Sequence, residues 1–370
     1  MRPLAILSCL LNTLAYTIVF PCCSGIFAQT PAARDYAGEL SPPIRAVDYT
    51  ARIFPDRIVP DWDRGYVLSH GIEVYSSADE ATVVMYGHDG QPAREGHIWP
   101  PAAQRVRLIG TATTHEGAII AAGWAGMPDG SVSKFIAKTD LLGNTIKTIM
   151  TGSFVPRQMC EAEDGTVWSL GIDVPSPDPD SPSNVLRQFS FEKGLLRGYL
   201  PFESVKAPVN SNTRSFNPFG SYVRCGKDKV VAYLKFTDEY VEVDTKSFEG
   251  KRWKLDLSST NQGKASALGI TDDAHVYVSF GGHGCRESEV RGLFEIKADS
   301  KSLTATLLPV KGTVSLRHCG SPENPPQVLE EGKFERLWGT DGSTLAIGLA
   351  GQNLSDIVWV KVISQEVASN

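Results

Sequence analysis

Histidine and carboxylate side chains are the ones here best suited to acid–base work or to a metal, so their spacing comes first. The seven histidines are His70, His88, His97, His115, His275, His283 and His318. No two of them stand two or four residues apart, the spacing that puts a ligand pair on one face of a strand or helix. Neither Cys-x-x-Cys nor Gly-x-Ser-x-Gly occurs, so no zinc knuckle and no nucleophile elbow is signalled. The most unusual string is Gly281-Gly-His-Gly-Cys-Arg-Glu287. Its glycines would let backbone come close to a ligand within reach of His283, Arg286 and Glu287; a plain flexible hairpin loop is the other reading. Arg317-His-Cys319 is a second such string and contributes His318.

These side chains need a scaffold, and the scaffold shows as repetition. The segments Thr111–Gly123, Met159–Gly171, Tyr222–Tyr233, Ala267–Val278 and Arg336–Gly348 share one pattern. Each is a half-apolar strand, a tight polar turn and a second apolar strand. Asp164-Gly165 and Asp341-Gly342 supply the positive φ of a two-residue hairpin turn. A second strand pair follows each time, with turns near residues 89, 140, 192, 244 and 299, about 50 residues apart. Alternation with a period of two marks strands, and no helical periodicity competes. The pattern predicts six units of four antiparallel strands, an all-β, six-bladed β-propeller over residues 48–363. Val358–Val362 would be the third strand of the last unit, and Tyr49–Phe54 would supply its fourth and close the ring.

The hairpin Glu163-Asp-Gly-Thr-Val-Trp168 resembles the inner hairpins of six-bladed propellers of the NHL and lactonase-like superfamily. The resemblance covers most of residues 48–362 as a pattern and implies the fold. It carries no catalytic set, because neither the metal-binding carboxylate and Asn positions of the lactonases nor a lyase His pair has a match here.

In that fold the loops sort onto two faces. The long connections Ala125–Ser131, Asp173–Asn184, Val205–Phe219, Gly281–Gly292 and Gly312–Lys333 fall on one of them. Long loops gathered at one end of a rigid scaffold carry binding; tolerated insertion is the alternative. Asp173–Asn184 reads as a proline-stiffened projecting loop, since it lacks the Gly and terminal Glu of a calcium loop. On the innermost strands Arg157, Glu161 and Arg224 would form an Arg–Glu pair between blades or recognise an anion. Trp124 would stack on a sugar or aromatic ring, or pack between blades. Cys285 and Cys319 lie in neighbouring long loops and are expected to form a disulfide. Cys160 and Cys225, aligned at their turns, share parity and are expected as buried thiols.

Residues 1–28 carry Arg2 as their one charge, then an apolar run and small residues. That is the grammar of a signal peptide, with an uncleaved anchor as the alternative, and it predicts a secreted or periplasmic protein. A flexible stretch, 29–47, would precede the propeller, and a short tail, 364–370, would follow. The composition is that of a globular protein, and no later segment is apolar enough to span a bilayer. The formal net charge is −6 without a Lys/Arg cluster, which argues against nucleic acid as a partner. The expectation is a monomeric binding module, without cofactor, for a peptide, glycan or cell-envelope component. Its site would draw on Trp124, Arg157, Glu161, Arg224, His283, Arg286, Glu287 and His318. The alternative is a hydrolase or lyase holding Ca or Zn at the channel mouth through Glu161, His283 and His318.

Overall fold

Short apolar runs bounded by Gly, Asp and Asn become strands throughout the chain. The computed structural model describes residues 36–40, 47–48, 59–64, 66–70, 81–87, 91–174, 183–201, 221–234, 237, 239–254, 265–271, 275–280, 293–298, 303–307, 310–314, 327–329, 334–341, 344–349 and 356–364. All belong to the compact unit Arg34–Asn370. Among the described residues there is no helix, and so none long and apolar enough to cross a membrane.

Strands β1 (Tyr36–Leu40) and β2 (Val47–Asp48) come first. Five four-stranded antiparallel sheets follow, each in chain order. The first sheet is β3 (Val59–Asp63), β4 (Tyr66–His70), β5 (Thr82–Tyr86) and β6 (Pro92–His97). The second is β7 (Arg105–Thr113), β8 (Ile119–Gly126), β9 (Val132–Thr139) and β10 (Thr145–Met150). The third is β11 (Phe154–Glu161), β12 (Val167–Asp173), β13 (Asn184–Ser190) and β14 (Gly194–Pro201). The fourth is β15 (Tyr222–Cys225), β16 (Lys229–Leu234), β17 (Glu239–Asp244) and β18 (Gly250–Lys254). The fifth is β19 (Ala265–Ile270), β20 (Val276–Phe280), β21 (Leu293–Ala298) and β22 (Leu303–Leu307). The last sheet gathers β23 (Val310–Val314), β24 (Gln327–Leu329), β25 (Phe334–Asp341), β26 (Thr344–Leu349) and β27 (Asp356–Ser364) with β1 and β2. Its order is β24-β23-β1-β27-β26-β25, with β2 also pairing β27. These meanders match the blade pattern of a propeller.

The first strands are neighbours in succession: β3 with β7, β7 with β11, β11 with β15, β15 with β19, β19 with β25, and β25 with β3. Apolar side chains pack between successive sheets. Ala112, Ile120 and Ile136 of the second sheet meet Phe154, Val167 and Phe189 of the third. Trp168 and Leu186 of the third meet Val230 and Val241 of the fourth. A strand covered on both faces must be apolar on both, which is why β8 reads Ile-Ile-Ala-Ala-Gly-Trp-Ala-Gly with little alternation. Gly110 lets β7 approach β11, since a Cβ there would lie 2.1 Å from the Arg157 carbonyl oxygen.

Three expectations change. The place beside β27 assigned to Tyr49–Phe54 is held by Tyr36–Leu40, within the stretch expected to be a flexible lead-in; Tyr49–Phe54 lies outside the described residues. β1 runs antiparallel to β27 from Tyr36↔Ser364 to Leu40↔Val360 and parallel to β23 at Gly38↔Val310. Long-range pairing, and not local β-propensity, selects this segment. The turn at Asp164-Gly165 is wider than a two-residue turn. Ala162 N–H donates to Thr166 C=O and Gly165 N–H to Ala162 C=O, with Gly165 at φ +75°. That is a three-residue loop whose last residue is left-handed. Ala125–Ser131 is no insertion either: β8 runs to Gly126, β9 starts at Val132, and Met127–Ser131 forms the same turn.

Candidate functional site

In the second to fifth sheets the short turn after the first strand is closed by a backbone N–H to C=O bond: Thr114 to Ala118, Ala162 to Thr166, Gly226 to Lys229 and Thr271 to His275. The residue just before each turn is therefore equivalent from sheet to sheet: Thr113, Glu161, Cys225 and Ile270. Each reaches back to the preceding sheet, and each does so by different chemistry. Thr113 donates to Asp63 Oδ2 through its backbone N (2.7 Å) and its hydroxyl (3.0 Å). Glu161 Oε2 accepts from His115 N at 2.7 Å and lies 3.0 Å from His115 Nδ1. Lys138 Nζ is 3.5 Å from the other carboxylate oxygen, and Arg64 donates to the Glu161 carbonyl. Cys225 is joined to Cys160 by a disulfide with Cα atoms 5.5 Å apart. Ile270 packs into a cluster with Val231, Tyr233 and Tyr240.

Glu161 is therefore not the partner of Arg157 or Arg224. It is 3% exposed, and its donors come from the second sheet. The expectation of free thiols at Cys160 and Cys225 is overturned by the bond between them. The cause is turn length: Ala162–Thr166 has one residue more than Gly226–Lys229. Aligned on the closing bonds, the two cysteines are one position apart, so they have opposite parity and face each other. Cys285 and Cys319 lie outside the described residues, as do His283, Arg286, Glu287 and His318. The stretch Gly312–Lys333, expected as a loop around His318, is strand in part: it contains the end of β23 and all of β24, which pair with each other from Gly312↔Leu329 to Val314↔Gln327, with β23 beside β1.

A second position is also reused. The residue that closes the turn bonds the third strand of its own sheet: Thr166 with Gln188 (3.1 Å), Lys229 with Glu242 (3.0 Å) and His275 with Glu295 (2.6 Å). In the second sheet Ala118 has no polar group to offer, and the third-strand Lys138 turns instead to Glu161. Tyr240 adds its hydroxyl to Glu242 at 2.6 Å; burial, with the Glu242 carboxylate beside it, pushes this phenol well above its usual value. Sequence reasoning missed His115, Lys138, Asp63 and Thr113. The signal that would have found them is their fixed distance from each turn.

At the other end of the third sheet, Asp173 accepts from Ser153 Oγ at 2.6 Å and also from Ser183 and Arg187. These contacts pin the base of the expected projecting loop; residues 175–182 lie outside the described set. Trp124 is half-buried on β8, across from Arg107 on β7 and Lys134 on β9. It stands six residues beyond Ala118, about 20 Å along the strand from the short turn. Trp124 and Glu161, which sits beside such a turn, therefore do not share a site. Arg157 is half-buried on β11, next to Gln158. Arg224 is 8% exposed; its Nη1 donates to Val223 O (2.8 Å) and Gln158 Oε1 (3.4 Å), and its Nε has no partner.

No protein-family model and no curated protein matches the chain. Solved structures similar to it include the PQQ-bound aldose sugar dehydrogenase of Streptomyces coelicolor, at 14% identity and TM-score 0.41, covering 89% of this chain and 98% of that one. The WD40 repeats of RRP9 match at 7% identity and TM-score 0.43, covering 86% and 100%. The luciferin-regenerating enzyme matches at 11% and 0.40, covering 84% and 91%. At such scores the architecture rests on the sheet topology, and the chemistry rests on the residues.

Proposed function

We propose that the chain is an exported, six-bladed propeller acting as a monomeric binding module for a peptide, glycan or cell-envelope component. The succession of first-strand neighbours, which returns from β25 to β3, supports six blades in a ring, and β1 beside β27 supports closure by the N-terminal strand. The Cys160–Cys225 bond fits an oxidising compartment. The long connections β12–β13, β14–β15 and β20–β21 all leave from the ends opposite the short first turns, which supports a ligand site there.

The observation that carries binding over catalysis is the state of Glu161. A metal-assisted hydrolase or lyase would need this carboxylate open to a metal or substrate, and here both oxygens are engaged by His115 and Lys138. A thermal-shift screen against peptides, glycans, envelope fragments and divalent ions, with metal analysis of the purified protein, tests the reading. A ligand-induced shift that survives Glu161→Gln supports it. Stoichiometric Ca or Zn that is lost in Glu161→Gln overturns it in favour of the enzyme.

A further inference from the structure

We infer that Arg224 is the anchor of a second site, between the first strands of the third and fourth sheets, for a small oxyanion: the carboxylate, phosphate or sulfate group of a ligand. The inference goes beyond the binding reading above, because this site lies at the short-turn ends of the first strands and would stand even if the long connections bound nothing.

The position is out of pattern. Two residues before the turn, the second, third and fifth sheets carry Ala112, Cys160 and Gly269, all small; the fourth sheet carries a guanidinium. This arginine is more than nine-tenths buried. Its charge has lost most of its water, and among the described residues no carboxylate replaces it. Glu161, the acid on the facing strand β11, is held toward the second sheet by His115 and Lys138. The two acceptors that Arg224 does have, Val223 O and Gln158 Oε1, are neutral and both take Nη1. Burying a guanidinium against neutral acceptors alone is unfavourable, whereas an anion restores both the charge balance and the missing bond.

The geometry suits an oxyanion. A guanidinium presents its donors in a planar fork that fits two oxygens at once, and here the Nε arm of that fork is unpartnered. Gln158 gives its oxygen to Arg224, which leaves its amide N–H groups as donors beside the fork. The Tyr222 ring lies 5.9 Å from the guanidinium carbon. The Cys160–Cys225 bond fixes the neighbouring backbone, so the fork is held in place before any ligand arrives.

The test is thermal unfolding in a chloride buffer against the same ionic strength of phosphate, sulfate or acetate, for the wild type, Arg224→Met and Arg224→Lys. The expected result is a wild-type midpoint raised by about 1–2 °C at tens of millimolar oxyanion, with the rise lost in Arg224→Met and reduced in Arg224→Lys. Arg224→Met should also unfold no earlier than the wild type in chloride, because it removes an uncompensated buried charge. A rise with acetate alone assigns a carboxylate ligand; a rise with phosphate and sulfate assigns a phosphate-type group. Equal rises in wild type and Arg224→Met, or no rise in the wild type, overturn the site. If Arg224→Met does not fold, Arg224→Lys decides: an undiminished rise overturns the proposal.

Discussion

Glu161 brings together backbone, imidazole and ammonium donors from the second sheet on one buried carboxylate. Removing it strands those donors, at a cost of about 1–3 kcal/mol. Glu161→Ala should lower the denaturant midpoint accordingly, and Glu161→Gln less, since an amide oxygen still accepts from His115 N. An alanine variant as stable as the parent would show that the cluster does not hold the sheets together. At this scale the sequence was informative about residue type and less so about partners. Sequence marks Arg157, Glu161 and Arg224 as polar residues on the innermost strands, and Glu161 and Arg224 are buried. Their partners were not legible, because a contact between sheets depends on parity at the turn, and one extra turn residue reverses it.

At the scale of elements, the recurrence of four-strand meanders was legible from turn residues and alternation alone. The lengths of the connections were not: Ala125–Ser131 looks like a loop because of Gly126, Gly130 and Pro128, yet it folds as a tight hairpin turn. In the second to fifth sheets the position before the first turn joins successive sheets by hydrogen bonds, an ion pair, a disulfide and apolar packing in turn. The disulfide is the strongest of these, closing a separation of 65 residues. Cys160→Ala with Cys225→Ala should lose about 2–4 kcal/mol of stability, measured by denaturant unfolding. An unchanged midpoint would mean that the packing around Trp168 and Val223 holds the third and fourth sheets together unaided.

For the whole molecule, the decisive contact joins Tyr36–Leu40 to Asp356–Ser364, and no local pattern announces it. Tyr49–Phe54 has the better strand composition, but composition does not encode which segment meets the far end of the chain. Because β1 lies between β27 and β23, its backbone is committed on both sides. Proline has no N–H to give, so Gly38→Pro should break the pairing to Val362 or Val310 and cost about 3 kcal/mol or more. Limited proteolysis would report it as early cleavage in the last sheet. Wild-type resistance in Gly38→Pro would show that β1 is dispensable.

The pairing of β1 with β27 also sets a schedule. The ribosome makes residue 36 early and residue 364 more than three hundred codons later, so the last sheet cannot assemble until residue 364 has been made. Contacts this distant in sequence form slowly. Through that interval β1 has neither of its partner strands, β23 or β27, complete, and its exposed edges must wait for them.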